Sequence, residues 1–362
     1  MKSKTVKADQ KLIQGKKDTG YVFPPALEHK IENIIDGLRQ GFLKLLHDIS
    51  PENATIIAEY ILAMKTEINL SDHYRQDNII ALCELSKYFD NKPFKSITNR
   101  DRIIAFLDRF RKSESFDPLH KWIGTYNTYR IYLSRFFKWL YYPNIESDKR
   151  PKPEVIQNIP ILKRKEKSVY KPTDLWTAED DLLFLKYCPS KRMKCYHAVT
   201  RDSACRPHEI LKLRIKEVQF KTAINGQYAE VFVNGKTGTR HLPLIDSIPF
   251  VKDYLDHEHP QPTNPEAAFI AGTKKSLTKK LQPASIHKIY ENFKKDYFSK
   301  LLESANVPHK DKQKIKDLLK KPWNPYIRRH SALTSLSSIL KESDLRVLAG
   351  WISGSEMLLE KI

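Results

Sequence analysis

The sequence lacks long apolar runs. Its 362 residues contain no stretch near the roughly 18–20 apolar residues that a membrane-spanning helix needs. The N-terminus, from Met1 to Lys4, continues into polar residues and lacks the apolar core of a secretory signal. We therefore expect no membrane partner and a cytoplasmic location.

Cysteine is also scarce, with four residues in the chain. They show neither a Cys-x-x-Cys pair nor zinc-ligand spacing, so we interpret them as reduced core residues: Cys83, Cys188, Cys195 and Cys205. His257 and His259 alternate in an acidic loop, but further ligands at suitable spacing are missing. The sequence therefore predicts no metal site.

Acidic residues are outnumbered by basic ones. Lys and Arg total 63 and Asp and Glu total 43, which gives a formal net charge of +20. An excess of this size is typical of proteins that bind nucleic-acid phosphates. Duplex DNA is the partner that we expect, and a soluble basic protein without such a partner is the alternative.

Changes in composition divide the chain into four predicted parts. A lysine-rich start without apolar periodicity predicts a flexible tail, repeated three-and-four apolar spacing predicts helices, and a series of prolines predicts an extended linker. The parts are a basic tail (1–20), a helical DNA-binding domain (21–142), a proline-rich basic linker (143–173) and a second domain (174–362).

The last apolar stripe of the first domain runs from Tyr129 to Leu140. Cations stand on the other faces of that helix, and a further basic run lies in the linker. Positive side chains in this arrangement suit contacts with DNA phosphates, although an ordinary solvated face is the alternative. The predicted DNA contacts are Lys121, Arg130, Arg135, Lys138, Lys163, Arg164 and Lys165.

The second domain is predicted to be helical around one β-hairpin. Thr177, followed three residues later by Asp180, resembles a capping box at the start of a helix. Alternation over Tyr228–Val233 and Thr239–Leu244 predicts two antiparallel strands with Lys236 at the tip of the turn. The predicted fold class is mainly α with a small antiparallel β-sheet.

Two arginines in this domain occupy unusual positions. Pro207 suits the first turn of a helix, which puts Arg206 at a helix N-terminus, where anions bind well. Arg329 precedes Leu333 and Leu336 at helical spacing, so it should point into the interior. A cation is costly to bury there unless something anionic meets it. The two arginines are therefore predicted to clamp a single phosphodiester.

Four motifs along the second domain, in this order, resemble the catalytic domain of the tyrosine recombinases, the phage-integrase family: Arg206-x-x-Glu209, a hairpin Lys236, Arg329-His330 and Gly350-Trp351. The segments 171–180 and 325–334 are most similar to the archaeal integrase-like branch. The resemblance implies a C-shaped clamp of two domains around duplex DNA. It also implies strand transfer through a 3′-phosphotyrosyl link without a cofactor, by a homotetramer on paired sites that can be a monomer without DNA.

The resemblance implies a role for each matching residue. Arg206 and Arg329 would bind the non-bridging oxygens of the scissile phosphate, and Lys236 would protonate the 5′-oxygen leaving group. Tyr326 stands where the family usually has His, and a phenol is a poorer proton shuttle near neutral pH. The remaining expected site residues are Glu209, which holds a guanidinium or caps its helix, His330 and Trp351 in support, and the DNA contacts Arg240 and Arg328.

The family's nucleophilic tyrosine would follow Trp351, but the sequence has no tyrosine after Tyr326. Residues 354–361 resemble the family's approach to that tyrosine, so we expect the sequence to stop just short of it and the 362-residue chain not to cleave DNA. One alternative is a non-catalytic DNA-binding protein derived from an integrase. The other is a type IB topoisomerase, against which the two-domain size and the archaeal motifs argue.

Overall fold

The computed structural model describes residues 23–165, 170–224, 226–235, 238–272 and 281–351. The predicted basic tail, the hairpin residue Lys236 and the segment 354–361 lie outside the described residues. The chain divides into two compact units, with the boundary between residues 169 and 170. None of the helices within the described ranges has the length and apolar content needed to cross a membrane.

The first unit is helical, and capping side chains mark where several of its helices begin. Ser50 accepts a hydrogen bond from the Asn53 amide at the start of one helix, and Ser71 and Asn99 cap two others in the same way. The helices are α1 (Pro25–Ile34), α2 (Gln40–Leu46), α3 (Pro51–Thr66), α4 (Asp72–Tyr88), α5 (Arg100–Asp108) and α6 (Trp122–Tyr141), with 3₁₀ turns at Phe94–Ser96 and Glu154–Ile156.

The apolar stripes predicted for this unit form its core. The first predicted stripe runs from Ile31 to Leu45. Its residues Ile31 and Ile35 are at most 2% exposed, as are Phe136 and Phe137 of the last stripe. The first stripe is divided between α1 and α2 because the chain turns at Gly37, whose φ of 84° favours glycine. Full burial of one side chain of this size contributes about 1.5–3 kcal/mol, so the stripes account for a large part of the stability of this unit.

The first part of the predicted linker is packed rather than free. Val155, Ile156 and Ile159 are buried in the core of the first unit. Asn127 on α6 also exchanges two hydrogen bonds with the backbone of Leu162. Prolines keep this segment extended, but the apolar residues between them give it a buried side, which the proline count does not reveal. Up to Leu162, the predicted linker therefore packs on the first unit.

The second unit is helical around one sheet. The capping box predicted at Thr177 and Asp180 is present at the start of its first long helix. The helices are α7 (Ala178–Tyr187), α8 (Lys191–Ser203), α9 (Pro207–Ile210), α10 (Ile248–His257), α11 (Pro283–Asn292), α12 (Ser299–Leu301), α13 (His309–Lys320), α14 (Pro325–Leu336) and α15 (Glu342–Ala349). The strands are β1 (Val218–Ala223), β2 (Gly226–Gly235) and β3 (Gly238–Leu244), with 3₁₀ turns at Pro172–Asp174 and Ile215–Glu217 and a π-helical turn at Phe293–Phe298.

The sheet has three antiparallel strands in the order β1-β2-β3. The predicted hairpin corresponds to β2 and β3, which are closed by the pair Gly235 and Gly238, and β1 adds a strand to it. Ala229, Val231 and Val233 alternate onto the buried face, as expected for a sheet with one face covered by helices. The predicted fold class, mainly α with a small antiparallel sheet, is confirmed.

The four cysteines are buried with free thiols, which confirms their prediction as reduced core residues. Burial raises the pKa of Cys83 and of Cys188 to about 12, so both thiols stay protonated and unreactive at neutral pH. Among the described residues, no group of three or more His, Cys, Asp or Glu side chains is placed to hold a metal ion.

Candidate active site

Arg206 lies where the sequence predicts, at the start of the short helix α9. It is the N-cap residue, and Pro207 follows in the first turn. Its side chain is 21% exposed. Nη1 donates to Glu209 Oε1 at 3.1 Å, and Nη2 donates to the Gly350 carbonyl at 3.4 Å. The guanidinium is thus held on two sides and remains accessible to a ligand.

Glu209 orients Arg206 and a second arginine. Its buried carboxylate accepts hydrogen bonds from the Arg206 amide at 2.8 Å and from Arg240 Nη1 and Nη2 at 3.2 and 2.7 Å. Burial by itself raises the pKa of this carboxyl group, but the hydrogen bonds from Arg240 and Arg206 outweigh burial, and the pKa lies below its ordinary value. Glu209 therefore stays ionised at neutral pH, and it both holds a guanidinium and caps α9.

Arg329 points into the interior of the second unit, as its spacing predicts, and is 6% exposed. Its Nη1 donates to the Ala204 carbonyl at 2.5 Å and its Nη2 to the Ala349 carbonyl at 2.6 Å. These bonds satisfy donors without neutralising the charge. Burial and the nearby charge of Arg206 lower the pKa of Arg329 to about 10, so the group stays charged at neutral pH in surroundings that favour an added anion.

Three guanidinium groups meet consecutive carbonyls at the end of α15. Arg240, Arg329 and Arg206 donate to the carbonyls of residues 348, 349 and 350, at 3.3, 2.6 and 3.4 Å. The last carbonyls of a helix lack partners within the helix and carry partial negative charge. Arg206 and Arg329, from distant parts of the chain, therefore lie side by side. Each arginine has five N–H donors, so both retain donors for an anion.

The end of strand β2, where the turn to β3 starts, lies against the same arginine cluster. Gly235, the last residue of β2, packs so closely against Glu209 that a Cβ at this position would collide with the carboxylate. A glycine in a strand commonly marks such a close approach. Lys236 is the next residue in the chain but lies outside the described residues, so the structure brings its neighbour to the arginine cluster without placing its side chain.

Three further predicted site residues, Tyr326, His330 and Trp351, are close in sequence to residues of the arginine cluster. Tyr326 and Trp351 are 48% and 56% exposed. The ring of His330 packs on the ring of Tyr170 with centroids 5.2 Å apart. Partial burial of the imidazole and the charge of Arg329 lower the pKa of His330, so it is neutral at physiological pH. Tyr326 and His330 share α14 with Arg329, and Trp351 directly follows the carbonyls that accept from the arginines.

His208 lies between Arg206 and Glu209 and is not among the predicted site residues. Burial lowers the pKa of His208 most, and the charges of Lys212, Arg206 and Arg329 lower it further, against the opposing effect of Glu209. A neutral imidazole beside two site arginines is therefore available as a hydrogen-bonding group. Its position inside the Arg206-x-x-Glu209 motif is the signal that would have identified it.

Two predicted DNA contacts are wrong. Arg240 and Arg328 are 3% and 0% exposed, so neither reaches a DNA backbone at the surface. Arg240 Nη2 lies 2.7 Å from Glu209 Oε2, and Arg328 Nη2 lies 2.7 Å from Asp181 Oδ1. The burial of Arg240 could have been predicted from the alternation of β3, because Arg240 lies two residues before Leu242 and so shares the inward face of the strand.

In the first unit, the predicted DNA-binding cations lie on a helix without acidic residues. The 20 residues of α6 include no Asp or Glu. Lys121, at the N-cap position of α6, and Arg135 are exposed, whereas Arg130 and Lys138 are half-buried. Arg135 Nη1 donates to the Tyr74 hydroxyl at 2.8 Å. Phosphates can approach such a helix without meeting a like charge on it.

The basic run of the predicted linker follows directly on the packed segment. Lys163 and Lys165 are exposed and Arg164 is half-buried. Because the preceding Leu162 is hydrogen-bonded to Asn127 on α6, this run begins beside that helix. It therefore adds to the positive surface of the first unit rather than standing apart from it.

No family model and no curated protein matches the sequence. Solved structures do match its fold. The Tn1549 transposon integrase in complex with transposon right end DNA is similar with a TM-score of 0.51 and 14% identity, over 82% of this chain and 90% of that one. The XerH site-specific recombinase bound to its difH substrate gives 0.52 and 15%, over 90% of this chain and 87% of that one. A lambda integrase dimer bound to a COC′ core site gives 0.54 and 11%, over 83% of this chain and 92% of that one.

The similarity covers both units. Since identity is between 11% and 15% in these three comparisons, the shared property is the fold. The chain therefore has the fold of DNA-bound integrases and site-specific recombinases, with the small antiparallel sheet and the arginine cluster in its second unit.

Proposed function

We propose that the protein is a DNA strand transferase of the tyrosine recombinase type, and that Arg206 and Arg329 bind the scissile phosphate. The observation that supports this most is the placement of both guanidinium groups beside neighbouring carbonyls at the end of α15. They lie in a fold shared with integrases that were solved on DNA.

The chemistry fits the cluster. A tyrosine oxygen attacks the scissile phosphorus, the bond to the 5′-oxygen breaks, and a 3′-phosphotyrosyl link forms. The pentacoordinate transition state carries more negative charge on the non-bridging oxygens than the ground state. Donors that are already in place stabilise that charge without reorganisation. Glu209 supplies this preorganisation for Arg206, and the carbonyls of Ala204 and Ala349 supply it for Arg329.

The other predicted residues complete the proposed site. Lys236, one residue beyond the glycine that packs on Glu209, would protonate the leaving 5′-oxygen. Tyr326 would donate a hydrogen bond to the phosphate instead of the family's usual His, and Trp351 would do so through its indole N–H. His330 supports the site, because its neutral ring packs on Tyr170 beside Arg329.

The binding surface of the proposed recombinase includes the cations of α6 and the run 163–165. In this proposal, the protein binds duplex DNA, and four copies assemble on two paired sites in the cytoplasm. The lambda integrase, similar in fold, has been solved as a dimer on a core site and as a tetramer on a Holliday junction. The archaeal integrase-like branch remains a proposal that rests on the segments 171–180 and 325–334.

The test uses the protein encoded by the complete natural reading frame, since residues 327–362 include no tyrosine. Binding sites are first recovered from a pool of random duplexes, and a nicked duplex carrying the site is then incubated with the protein. We expect a covalent adduct that survives denaturing electrophoresis and disappears with protease. The chain of residues 1–362 serves as the control and should give no adduct.

The alternative function, a non-catalytic DNA-binding protein, predicts a different result. It gives specific binding to the recovered sites, but the full reading frame yields no adduct. An adduct formed by residues 1–362 would contradict the proposed alignment, because another side chain would then be the nucleophile. Failure to recover any bound duplex would rule out both functions.

A further inference from the structure

Arg328 is a fully buried cation next to a proposed catalytic arginine. Its side chain is 0% exposed, and Nη2 lies 2.7 Å from Asp181 Oδ1. The guanidinium also lies over the ring of Trp176, 5.1 Å from its centroid. A buried charge without an opposite charge is strongly unfavourable. The position of Asp181 therefore dictates where the Arg328 side chain can lie.

Asp181 is itself held in one place. It stands on α7, and its Oδ1 is 3.1 Å from Nε2 of His197 on α8, whose Nδ1 is 3.0 Å from the Tyr290 hydroxyl on α11. Burial, followed by the charge of Arg328, lowers the pKa of His197 to about 4, so the ring is neutral at physiological pH. A neutral ring that donates from Nε2 to Asp181 accepts the Tyr290 proton at Nδ1, which satisfies both contacts.

This network links the helices that hold Arg329. Adjacent residues on a helix differ in direction by about 100°, so Arg328 and Arg329 leave α14 toward different neighbours. Arg328 reaches the carboxylate on α7, and Arg329 reaches Ala204, just after the end of α8. The hydroxyl of Ser331, one turn after Ile327 on α14, accepts from the Trp176 amide at 2.8 Å. The rotation of α14 is thus fixed by contacts on sides of the helix other than the one that carries Arg329.

We propose that Arg328 is a positioning residue, whose ion pair with Asp181 sets the rotation of α14 and so holds the Arg329 guanidinium at the carbonyls of Ala204 and Ala349. The proposal extends the proposed function, in which Arg329 contacts the scissile phosphate. It assigns a role to a buried arginine that the reaction itself does not use.

The first measurement is independent of catalysis. The guanidinium ¹⁵N–¹H signals of Arg329 are identified by their loss in Arg329→Lys and compared in the wild type, Arg328→Met and Arg201→Met. Arg201 is the matched control, because its Nε lies 4.0 Å from Asp181 Oδ2 but its side chain is 31% exposed and lies on α8. Circular dichroism confirms that each variant is folded at the temperature used.

In the wild type and in Arg201→Met, we expect the two Nη groups of Arg329 to give separate signals, because the held guanidinium exchanges them slowly. Arg328→Met should shift these signals and average them. Unchanged Arg329 signals in folded Arg328→Met would overturn the proposal. If Arg328→Met does not fold, Arg328→Lys replaces it. That variant keeps the charge but loses the planar fork, so we expect a partial shift of the Arg329 signals, and their full retention would overturn the proposal.

The second measurement is the single-turnover cleavage rate of the full-length protein at saturating DNA. We expect Arg328→Met to be about 10- to 100-fold slower, the range that a small misplacement of a catalytic group produces. The Kd for DNA should stay nearly unchanged, and Arg328→Lys should recover part of the rate. A wild-type rate in Arg328→Met whose Arg329 signals are averaged would refute the positioning role and leave the proposed function intact. If the wild type forms no adduct, the proposed function fails, whereas the Arg329 signals still decide the role of Arg328.

Discussion

The cations of the two units are held in different ways. In the second unit, Arg206 and Arg329 are mostly buried, and protein acceptors fix each guanidinium. In the first unit, Lys121 and Arg135 are exposed, and Arg130 and Lys138 are half-buried. Fixed donors suit a transition state, which has one geometry, whereas exposed donors suit a phosphate backbone that is bound at many points.

Burial and the type of partner together distinguish the buried arginines better than charge alone. Arg240 and Arg328 are buried like Arg329, but each faces a carboxylate, Glu209 or Asp181. Their charge is already neutralised inside the protein. Arg329 hydrogen-bonds to carbonyl oxygens instead, so its full charge remains available to a ligand.

The largest effect that would test the comparison is the loss of Arg329. Arg329→Ala in the full-length protein should slow strand cleavage by about 10²–10³, the usual result of removing one preorganised donor, and should change duplex binding little. Single-turnover kinetics on the selected site measure this. The matched control is Arg346→Ala, which removes an exposed arginine of α15 that pairs with Glu342. Equal losses in both variants would show that burial confers no catalytic role.

The pH dependence of stability tests the buried network of His197, Asp181 and Arg328 in the second unit. Burial lowers the pKa of His197 from 6.5 to about 4, so between these values the unfolded state binds a proton that the folded state does not. Stability should therefore fall as the pH falls from about 6.5 to about 4, by on the order of 3 kcal/mol. Below that range, this contribution does not change further.

Urea unfolding from pH 7 to pH 4 measures this change. His197→Gln should flatten the dependence, and His257→Gln, which removes an exposed histidine, should preserve it. Asp181 adds a further loss at lower pH. Burial raises its pKa, but Arg328, His197 and Arg201 outweigh burial, so its pKa is lowered and the stability that it contributes disappears as the carboxylate protonates. A wild-type slope in His197→Gln would remove His197 from the explanation.

Local patterns in the sequence were sufficient to predict several elements of the fold. The stripe from Tyr129 to Leu140, the capping box at Thr177 and the hairpin around Lys236 depend on neighbouring residues, and periodicity and capping rules describe such neighbours directly. The helical spacing that placed Arg329 in the interior is of the same kind. These predictions needed no knowledge of tertiary contacts.

Apart from Glu209, the partners of the arginines could not be predicted in this way. Asp181 and Arg328 are far apart in the chain, and neither residue carries a local sign that the other will meet it. The carbonyls at residues 348–350 have no side-chain signal at all, because any sequence supplies them. The packed segment ending at Leu162 was missed for a related reason, since its prolines indicate backbone shape but not what lies against it.

The smallest expected effect is the change in the salt dependence of DNA binding when a single cation of α6 is removed. If this change is absent, the comparison between the two units fails. Arg135→Gln and Lys138→Gln should each lower the slope of log Kd against log salt by about 0.9, because each phosphate contact releases condensed counterions. Neither change should alter the cleavage rate at saturating DNA, since in the proposed function these side chains bind the backbone without touching the reacting phosphate. The slopes are measured with the selected duplex over a range of salt concentrations. The control is Lys30→Gln, which removes an exposed lysine that already pairs with Glu59 and should leave the slope unchanged. If all three variants keep the wild-type slope, α6 is an ordinary solvated helix, and the DNA-binding surface of the first unit must be sought on other residues.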